Sequence, residues 1–243
     1  MNTLLENFIK QYQSPIETHL LKNLPLTCQR GARRYNDALH YAIFPGGKRW
    51  RPLLTLLGGN VIGASPSSLY ATACAIEYLH TSSMIIDDLP AMDDADLRRG
   101  KPAMHLAYDE SLAILVSLAL MNHSYLLLAT TCAQANHQDK TGQLIMQATA
   151  CIGANGMIGG QVVDLELLED STDGDTLESR NLKTTALMRL MMTAGAISSN
   201  ACDGDIFVLA KYGEAIGTAY QIYDDLLDVL GESRAIGKTP KDR

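Results

Sequence analysis

The sequence lacks the features that mark several classes of protein. Its five cysteines are an odd set with no Cys-x-x-Cys pair, which argues against a disulfide framework or a zinc site, so we expect all five to be reduced thiols in the core. A formal net charge of −7 argues against a general nucleic-acid binder. The N-terminus has neither the basic start nor the apolar run of a secretion signal, so we expect a cytoplasmic protein.

Only one apolar run approaches the length of a membrane span, at residues 112–133. Ser117, Asn122 and His123 interrupt it, and polar groups at the centre of a bilayer cost free energy that a protein interior recovers through hydrogen bonds. We therefore predict no transmembrane segment here and a helix buried among other helices.

Proline is absent between Pro102 and Pro240, and strand signals are scarce throughout. In this span apolar segments alternate with polar breaks at residues 136–141, 169–175 and 203–205, which predicts long helices joined by short loops. Nothing in the composition marks a linker, and a hydrophobic content of 47% is enough for one large core. The sequence therefore predicts an all-α protein with a single domain over residues 1–243.

A further helix start is predicted near the N-terminus. Ser14, Pro15 and Glu17 have the spacing of an N-cap, a first-turn proline and the acid of a capping box. We expect a helix to begin at this point.

Two clusters of aspartates lie far apart in the chain. Packing like charges together costs free energy unless cations are supplied, and carboxylate oxygens are the protein ligands that Mg²⁺ prefers, together with the oxygens of a bound phosphate. Two solvated acidic helix ends are the alternative, which the apolar residues flanking both clusters disfavour. The first cluster contains Asp87, Asp88 and Asp93, and the second contains Asp224, Asp225 and Asp228.

The spacing within each cluster predicts its geometry. Asp224 and Asp228 fall on the same face of a helix, with Gln221 one turn earlier. Pro90 excludes a continuous helix through the first cluster, so we expect Asp87 to end a helix and Asp93 to lie in a loop that returns towards it.

Basic residues form a second pattern. Lys48 and Arg51 follow the Gly46-Gly47 pair and are three residues apart, which places them on one side of the helix that we expect to begin here. Glycines let backbone amides approach an anion, so the segment is typical of a phosphate site. A solvated basic turn is the alternative for this segment, and for His80 the alternative is a hydrogen-bonded core histidine.

These motifs together resemble the trans-prenyl diphosphate synthases. The resemblance covers most of the chain and implies a single-domain isoprenoid-synthase helical bundle with a deep central cavity, usually a homodimer. Relatives of this kind continue beyond the equivalent of residue 243, so we expect the C-terminal helices to be missing. The matching segments are Gly46 to Pro52, Asp87 to Gly100, Gly159 to Asp164, Lys183-Thr184 and Gln221 to Asp228.

The resemblance implies a Mg²⁺-dependent enzyme that condenses isopentenyl diphosphate with an allylic diphosphate. The implied catalytic residues are Asp87, Asp93, Lys183 and Asp224. The implied metal ligands are Asp87, Asp88, Asp93, Asp224, Asp225 and Asp228. The implied contacts of isopentenyl diphosphate are Lys48, Arg51, His80 and Arg99, and those of the allylic diphosphate are Arg98, Lys183, Thr184, Gln221 and Lys238.

Product length is expected to depend on the helix before Asp87. Ser82 and Ser83 lie five and four residues upstream, and such small residues leave room beyond a farnesyl tail, so we expect geranylgeranyl diphosphate as the product. Tyr78 or Met121 is the alternative floor of the pocket, and close helix packing is the alternative role of the serines.

Three other functions stay open. They are a farnesyl diphosphate synthase, a non-catalytic subunit of a heteromeric prenyl synthase, and a terpene cyclase. The Asp-Asp-x-x-Asp pattern of the second cluster and the second diphosphate site at Lys48 and Arg51 disfavour the cyclase.

Overall fold

The computed structural model describes residues 3–134, 137–166 and 173–229, with side chains except at residues 133, 134, 173–183, 224, 225 and 227–229. This part of the chain is almost entirely helical, which confirms the all-α prediction. The helices are α1 (Thr3–Lys22), α2 (Arg33–Ile43), α3 (Trp50–Asn60), α4 (Tyr70–Asp87), α5 (Met104–Ala107), α6 (Glu110–Gln134), α7 (Gln138–Ile152), α8 (Met157–Glu166), α9 (Asp173–Ser198) and α10 (Asp203–Val229). A 3-10 turn, Pro66–Leu69, precedes α4, and two short strands, β1 (Leu97–Arg98) and β2 (Lys101–Pro102), pair antiparallel.

The core forms around α4 and α9. Helix α4 packs against α6 and α3, while α9 packs against α10, α3, α8 and α7. A helix that is apolar on most of its surface is stable only when neighbours cover it. Helix α4 accordingly buries Ile76 and Leu79 in the same continuous hydrophobic cluster as Leu120 and Leu128 of α6. The two helices that carry the aspartate clusters, α4 and α10, thus both belong to the bundle.

Helix α6 contains the long apolar run. Its segment Glu110–Cys132 is long and apolar enough to cross a membrane, and 44% of the residues in its most apolar window are buried in the bundle. The helix packs against α4, α7, α5 and α2, as predicted for a helix among other helices. The hydroxyl of Ser117 is hydrogen-bonded to the hydroxyl of Ser82 in α4, so this polar group is satisfied within the bundle.

The predicted helix start at Ser14 is wrong. Helix α1 runs without interruption from Thr3 to Lys22 and includes Pro15. Phe8, Ile9 and Tyr12, which precede the proline, pack against the core, and this burial outweighs the one backbone hydrogen bond that proline cannot donate.

The cysteines are all free, but only three are core residues. Cys74, Cys132 and Cys151 are buried, as expected. Cys28 and Cys202 are exposed, so the prediction of a core position is wrong for these two.

Candidate active site

The first aspartate cluster forms a closed loop at the end of α4. The helix ends at Asp87, and the backbone N–H of Asp93 returns to donate a 2.9 Å hydrogen bond to the carbonyl oxygen of Asp87. A second bond, from the N–H of Ala95 to the carbonyl of Asp88 at 3.2 Å, closes the loop further along. The predicted return of Asp93 towards Asp87 is confirmed. Both residues are half-buried, and their carboxylates suit a hard cation such as Mg²⁺.

Asp88 has a different environment from its neighbour. Its carboxylate is buried and accepts hydrogen bonds from Nε of Arg98 at 2.9 and 3.0 Å, and Nη2 of Arg98 donates to it as well. A carboxylate occupied by a guanidinium has fewer lone pairs for a metal. Asp88 therefore fixes β1 against α4, and its role as a metal ligand stays a prediction.

The β1–β2 hairpin presents Arg99 next to the loop before α3. Its turn residues Arg99 and Gly100 have φ values of 55° and 75°, as a tight two-residue hairpin requires. Nζ of Lys101 donates a 2.8 Å hydrogen bond to the carbonyl of Phe44, which ties the hairpin to that loop. A Cβ added to Gly47 would lie 3.5 Å from the guanidinium carbon of Arg99, so the two segments are in contact.

The predicted helical relationship between Lys48 and Arg51 is wrong. Helix α3 begins at Trp50, and the residue before it, Arg49, has a left-handed backbone with φ of 53°. Lys48 thus lies outside the helix and is exposed, while Arg51 lies in its first turn. The Nε of Arg51 is buried and has no hydrogen-bond partner among the described residues. A buried donor of this kind is a natural contact for an anion.

The four residues Lys48, Arg51, His80 and Arg99 are called the basic cluster below. Burial lowers the pKa of Arg51, and nearby Arg99 lowers it further, against the opposing effects of Glu77 and Tyr220. Burial likewise lowers the pKa of His80 well below its usual value, and four arginines, Arg51 first among them, add to this effect. His80 is therefore neutral at pH 7 and offers hydrogen bonds rather than charge.

Helices α9 and α10 bring together two of the predicted allylic contacts. The hydroxyl of Thr184 donates a 2.9 Å hydrogen bond to Oε1 of Gln221. One turn before Gln221, a Cβ on Gly217 would lie 2.8 Å from Cα of Thr185, so only glycine allows this approach of the two helices. The influence of Tyr220 on the Arg51 pKa places this part of α10 within electrostatic reach of the basic cluster.

The second aspartate cluster lies on α10, which is helical through Val229 as its spacing predicted. The side chains of Asp224, Asp225 and Asp228, like that of Lys183, lie outside the described part, and Lys238 lies outside it entirely. Among the described residues, no three histidine, cysteine or acidic side chains form a metal site. Asp87, Asp88 and Asp93 are the described members of the predicted metal site.

The two serines expected to set product length have different surroundings. Ser82 is fully buried, its Oγ lies 2.9 Å from that of Ser117, and Ser117 also donates to the carbonyl of Ser82 at 3.0 Å. This is the close-packing role between α4 and α6. Ser83 is half-buried and donates to the carbonyl of His80. Tyr78, an alternative floor of the pocket, is buried and donates its hydroxyl to the carbonyl of Leu20. The effect of either serine on product length stays a prediction.

The sequence reading missed a buried network around Arg49, which binds Glu17 of α1 and Glu77 of α4. Glu17 is thus an ion-pair partner rather than the acid of a capping box. The available signal was Glu77, the one acid between Tyr70 and Ile86 of α4, three residues before His80. Gly46 was predicted to let backbone amides approach an anion. The structure shows that it also makes room for Arg49, because a Cβ at Gly46 would lie 1.9 Å from the guanidinium carbon.

Comparisons with known proteins agree with this geometry. The family model for polyprenyl synthetase matches residues 32–242. Geranylgeranyl diphosphate synthase of Cyanophora paradoxa is 35% identical, over 98% of this chain and 79% of the relative. Geranylgeranyl pyrophosphate synthase 11 of Arabidopsis thaliana is 37% identical, over 88% of this chain and 59% of the relative. Farnesyl diphosphate synthase of Bacillus subtilis is 39% identical, over 82% of this chain and 67% of the relative.

Solved structures show the same fold. An FPP/GFPP synthase from Zymomonas mobilis superposes with a TM-score of 0.87 at 32% identity, covering 94% of this chain and 83% of that one. A geranyltransferase from Helicobacter pylori, complexed with magnesium and isoprenyl diphosphate, superposes with a TM-score of 0.84 at 30% identity, covering 97% of this chain and 79% of that one. The predicted isoprenoid-synthase bundle is confirmed. Because the family model spans most of the chain and relatives above 30% identity align over nearly all of it, the protein belongs to the polyprenyl synthetase family.

Proposed function

We propose that this protein is a Mg²⁺-dependent prenyltransferase that joins isopentenyl diphosphate head to tail to an allylic diphosphate, giving geranylgeranyl diphosphate. The observation that carries the proposal is the loop that returns Asp93 to Asp87, in which Asp88 acts electrostatically on Arg99 of the basic cluster; carboxylates that suit Mg²⁺ and cations that suit a diphosphate thus lie near each other. Relatives named geranylgeranyl diphosphate synthase support the product. The relative named farnesyl diphosphate synthase keeps the shorter product as the alternative.

The site residues divide between the two substrates. Asp87 and Asp93 fit a hard cation and would hold Mg²⁺ together with Asp224 of α10, and the bound ion would supply positive charge to the allylic diphosphate. Thr184 and Gln221, which are hydrogen-bonded to each other, would contact the same diphosphate. Arg51 and Arg99, with His80 and Lys48, would bind isopentenyl diphosphate.

The reaction breaks the allylic C–O bond and forms a C–C bond. Negative charge develops on the departing diphosphate, so fixed cations lower the barrier by stabilising it. The isopentenyl double bond attacks the allylic cation, and a proton then leaves the new chain. His80 is neutral and buried among arginines, so protonating it is unfavourable, and the departing diphosphate is the better proton acceptor.

The decisive experiment incubates the purified protein with Mg²⁺, isopentenyl diphosphate and allylic primers of five, ten and fifteen carbons, and resolves products by length. Geranylgeranyl diphosphate as the main product supports the proposal. Farnesyl diphosphate as the longest product supports the alternative. No elongation from any primer would contradict both and favour a non-catalytic subunit.

We also propose that two copies of the chain associate through α6. Its exposed face carries Ile114, Leu115, Leu118 and Leu126, which recur at helical spacing and form an apolar stripe. Multi-angle light scattering should give a dimer mass, and Leu118→Glu should give a monomer. A monomeric unaltered protein would contradict the proposal. The expected cytoplasmic location stays a prediction.

A further inference from the structure

Arg49 lies at the centre of a buried network that joins three helices. Its side chain is fully buried. Nε and Nη2 donate to the two carboxylate oxygens of Glu17 in α1, at 2.7 and 3.0 Å. Nη1 donates to Oε1 of Glu77 in α4 at 2.6 Å, and Nη2 also donates to the carbonyl of Ile43 at the end of α2, at 2.8 Å. Because the side chain is fully buried, the guanidinium is not accessible to a substrate.

The position of Arg49 in the chain links this network to the basic cluster. It immediately follows Lys48 and lies two residues before Arg51, and its left-handed backbone turns the chain into α3. The side chain of Arg49 points into the core from this turn, so its four hydrogen bonds fix the segment that carries Lys48 and Arg51. Gly46 completes the arrangement, because any Cβ there would overlap the guanidinium.

Glu77 connects the same network to the remaining members of the basic cluster. It precedes His80 by three residues on α4, so both side chains lie on one face of the helix. Its charge also acts on Arg51 and Arg99, whose pKa values it raises against the effect of burial. One buried carboxylate thus binds Arg49 directly and partly offsets the repulsion between the arginines around it.

We propose that Arg49 is a positioning residue for the isopentenyl diphosphate site: through Glu17, Glu77 and the carbonyl of Ile43 it holds Lys48 and Arg51 in the arrangement that binds the diphosphate, and it does not touch the substrate itself. The inference rests on the proposed function. It predicts that disturbing Arg49 weakens binding of isopentenyl diphosphate more than binding of the allylic substrate, since two of the expected allylic contacts, Thr184 and Gln221, lie on α9 and α10 and are hydrogen-bonded to each other.

Two variants test the role while keeping every charge of the basic cluster. Gly46→Ala displaces the guanidinium of Arg49 by steric overlap, and Arg49→Lys keeps the positive charge but cannot form all four hydrogen bonds. Each should raise KM for isopentenyl diphosphate by about tenfold or more, because small displacements of binding groups have large effects. KM for the allylic primer should change by less than about twofold. A global loss of structure or a purely electrostatic effect would instead raise both KM values.

The control is Leu144→Ala, which creates a cavity in α7, a helix that packs against α9, α6 and α8, and should lower Tm. It should leave both KM values unchanged, which separates loss of stability from loss of position. Glu17→Gln is the milder variant, since it weakens one ion pair whose acid is partly exposed, and it should raise KM for isopentenyl diphosphate to a smaller extent.

The outcomes are separable. A lower Tm with unchanged KM values in Gly46→Ala and Arg49→Lys would overturn the positioning role, as would a parallel rise for both substrates. If neither variant folds, an unchanged KM in Glu17→Gln overturns the role, and a selective rise supports it. If the unaltered protein neither binds isopentenyl diphosphate in calorimetry nor elongates a primer, the proposed function itself fails.

Discussion

The hydroxyl of Thr184 donates a 2.9 Å hydrogen bond to the side-chain carbonyl of Gln221, joining α9 and α10 at the allylic side of the proposed site. Thr184→Val removes the donor and keeps the shape of the side chain. A lost hydrogen bond of this kind costs about 1 kcal/mol, so we expect KM for the allylic primer to rise by roughly fivefold. KM for isopentenyl diphosphate should stay constant. Thr184→Ser retains the hydroxyl and is the matched control; equal effects of both variants would show that the hydrogen bond does not matter.

Asp87→Asn and Asp93→Asn should each lower kcat by at least about a thousandfold, because a metal ion contributes several kcal/mol to stabilising the leaving group. Their Tm values should remain close to that of the unaltered protein, since neither residue belongs to the hydrophobic core. Asp37→Asn, an exposed acid on α2, is the control for removing one carboxylate. Full activity in either site variant would refute the metal assignment.

The neutral state of His80 predicts a dependence of stability on pH. Its pKa in the folded protein lies well below the usual 6.5, because it is buried among arginines. Below about pH 6.5 the histidine binds a proton in the unfolded chain but stays neutral in the folded protein. The stability that neutral His80 contributes is therefore fully present above pH 6.5 and is lost as the pH falls. His80→Gln should therefore flatten the fall of the free energy of unfolding between pH 7 and pH 5 by up to about 1.4 kcal/mol per pH unit.

Urea unfolding at pH 7, 6 and 5 measures this difference between the two proteins. His137→Gln, at the start of α7, controls for loss of a histidine elsewhere. Parallel curves for the unaltered protein and His80→Gln would contradict the predicted shift.

The cysteines should divide into two classes of reactivity. Burial raises the pKa of Cys74 to about 12, and it also raises the pKa values of Cys132 and Cys151, so little thiolate forms at any of them near pH 8. Brief alkylation of the folded protein at that pH should modify the exposed Cys28 and Cys202 only. Mass spectrometry of peptides counts the labels, and urea-unfolded protein is the control in which all five cysteines should react. Rapid labelling of Cys74 in the folded protein would contradict its burial.

Ser82 and Ser83 should respond differently to a bulky side chain. Ser82→Phe inserts a ring where α4 meets α6 and should lower the free energy of unfolding by about 1–3 kcal/mol through overpacking. Ser83→Phe, at a half-buried position, should preserve stability better and shift the product from geranylgeranyl towards farnesyl diphosphate. Product analysis and urea unfolding of both variants distinguish the roles. An unchanged product from Ser83→Phe would refute its part in chain length.

Prediction from the sequence succeeded where a residue acts through local geometry. The break predicted from Pro90 is present, since α4 ends at Asp87 and Asp93 returns to it, and the spacing around Gln221 correctly placed the second cluster on a helix. It failed where distant contacts override a local signal. Pro15 lies inside α1 because apolar residues before it are buried, and Lys48 lies outside α3 because the side chain of Arg49 is drawn into the core by acids 32 and 28 residues away.

The loop after α4 is closed by two backbone hydrogen bonds, from the N–H of Asp93 to the carbonyl of Asp87 at 2.9 Å and from the N–H of Ala95 to the carbonyl of Asp88 at 3.2 Å. The conformational entropy of gathering these carboxylates is therefore lost when the chain folds rather than when a ligand arrives. Such preorganisation makes the aspartate loop a rigid template, whose two half-buried acids keep their spacing between successive turnovers while diphosphates enter and leave.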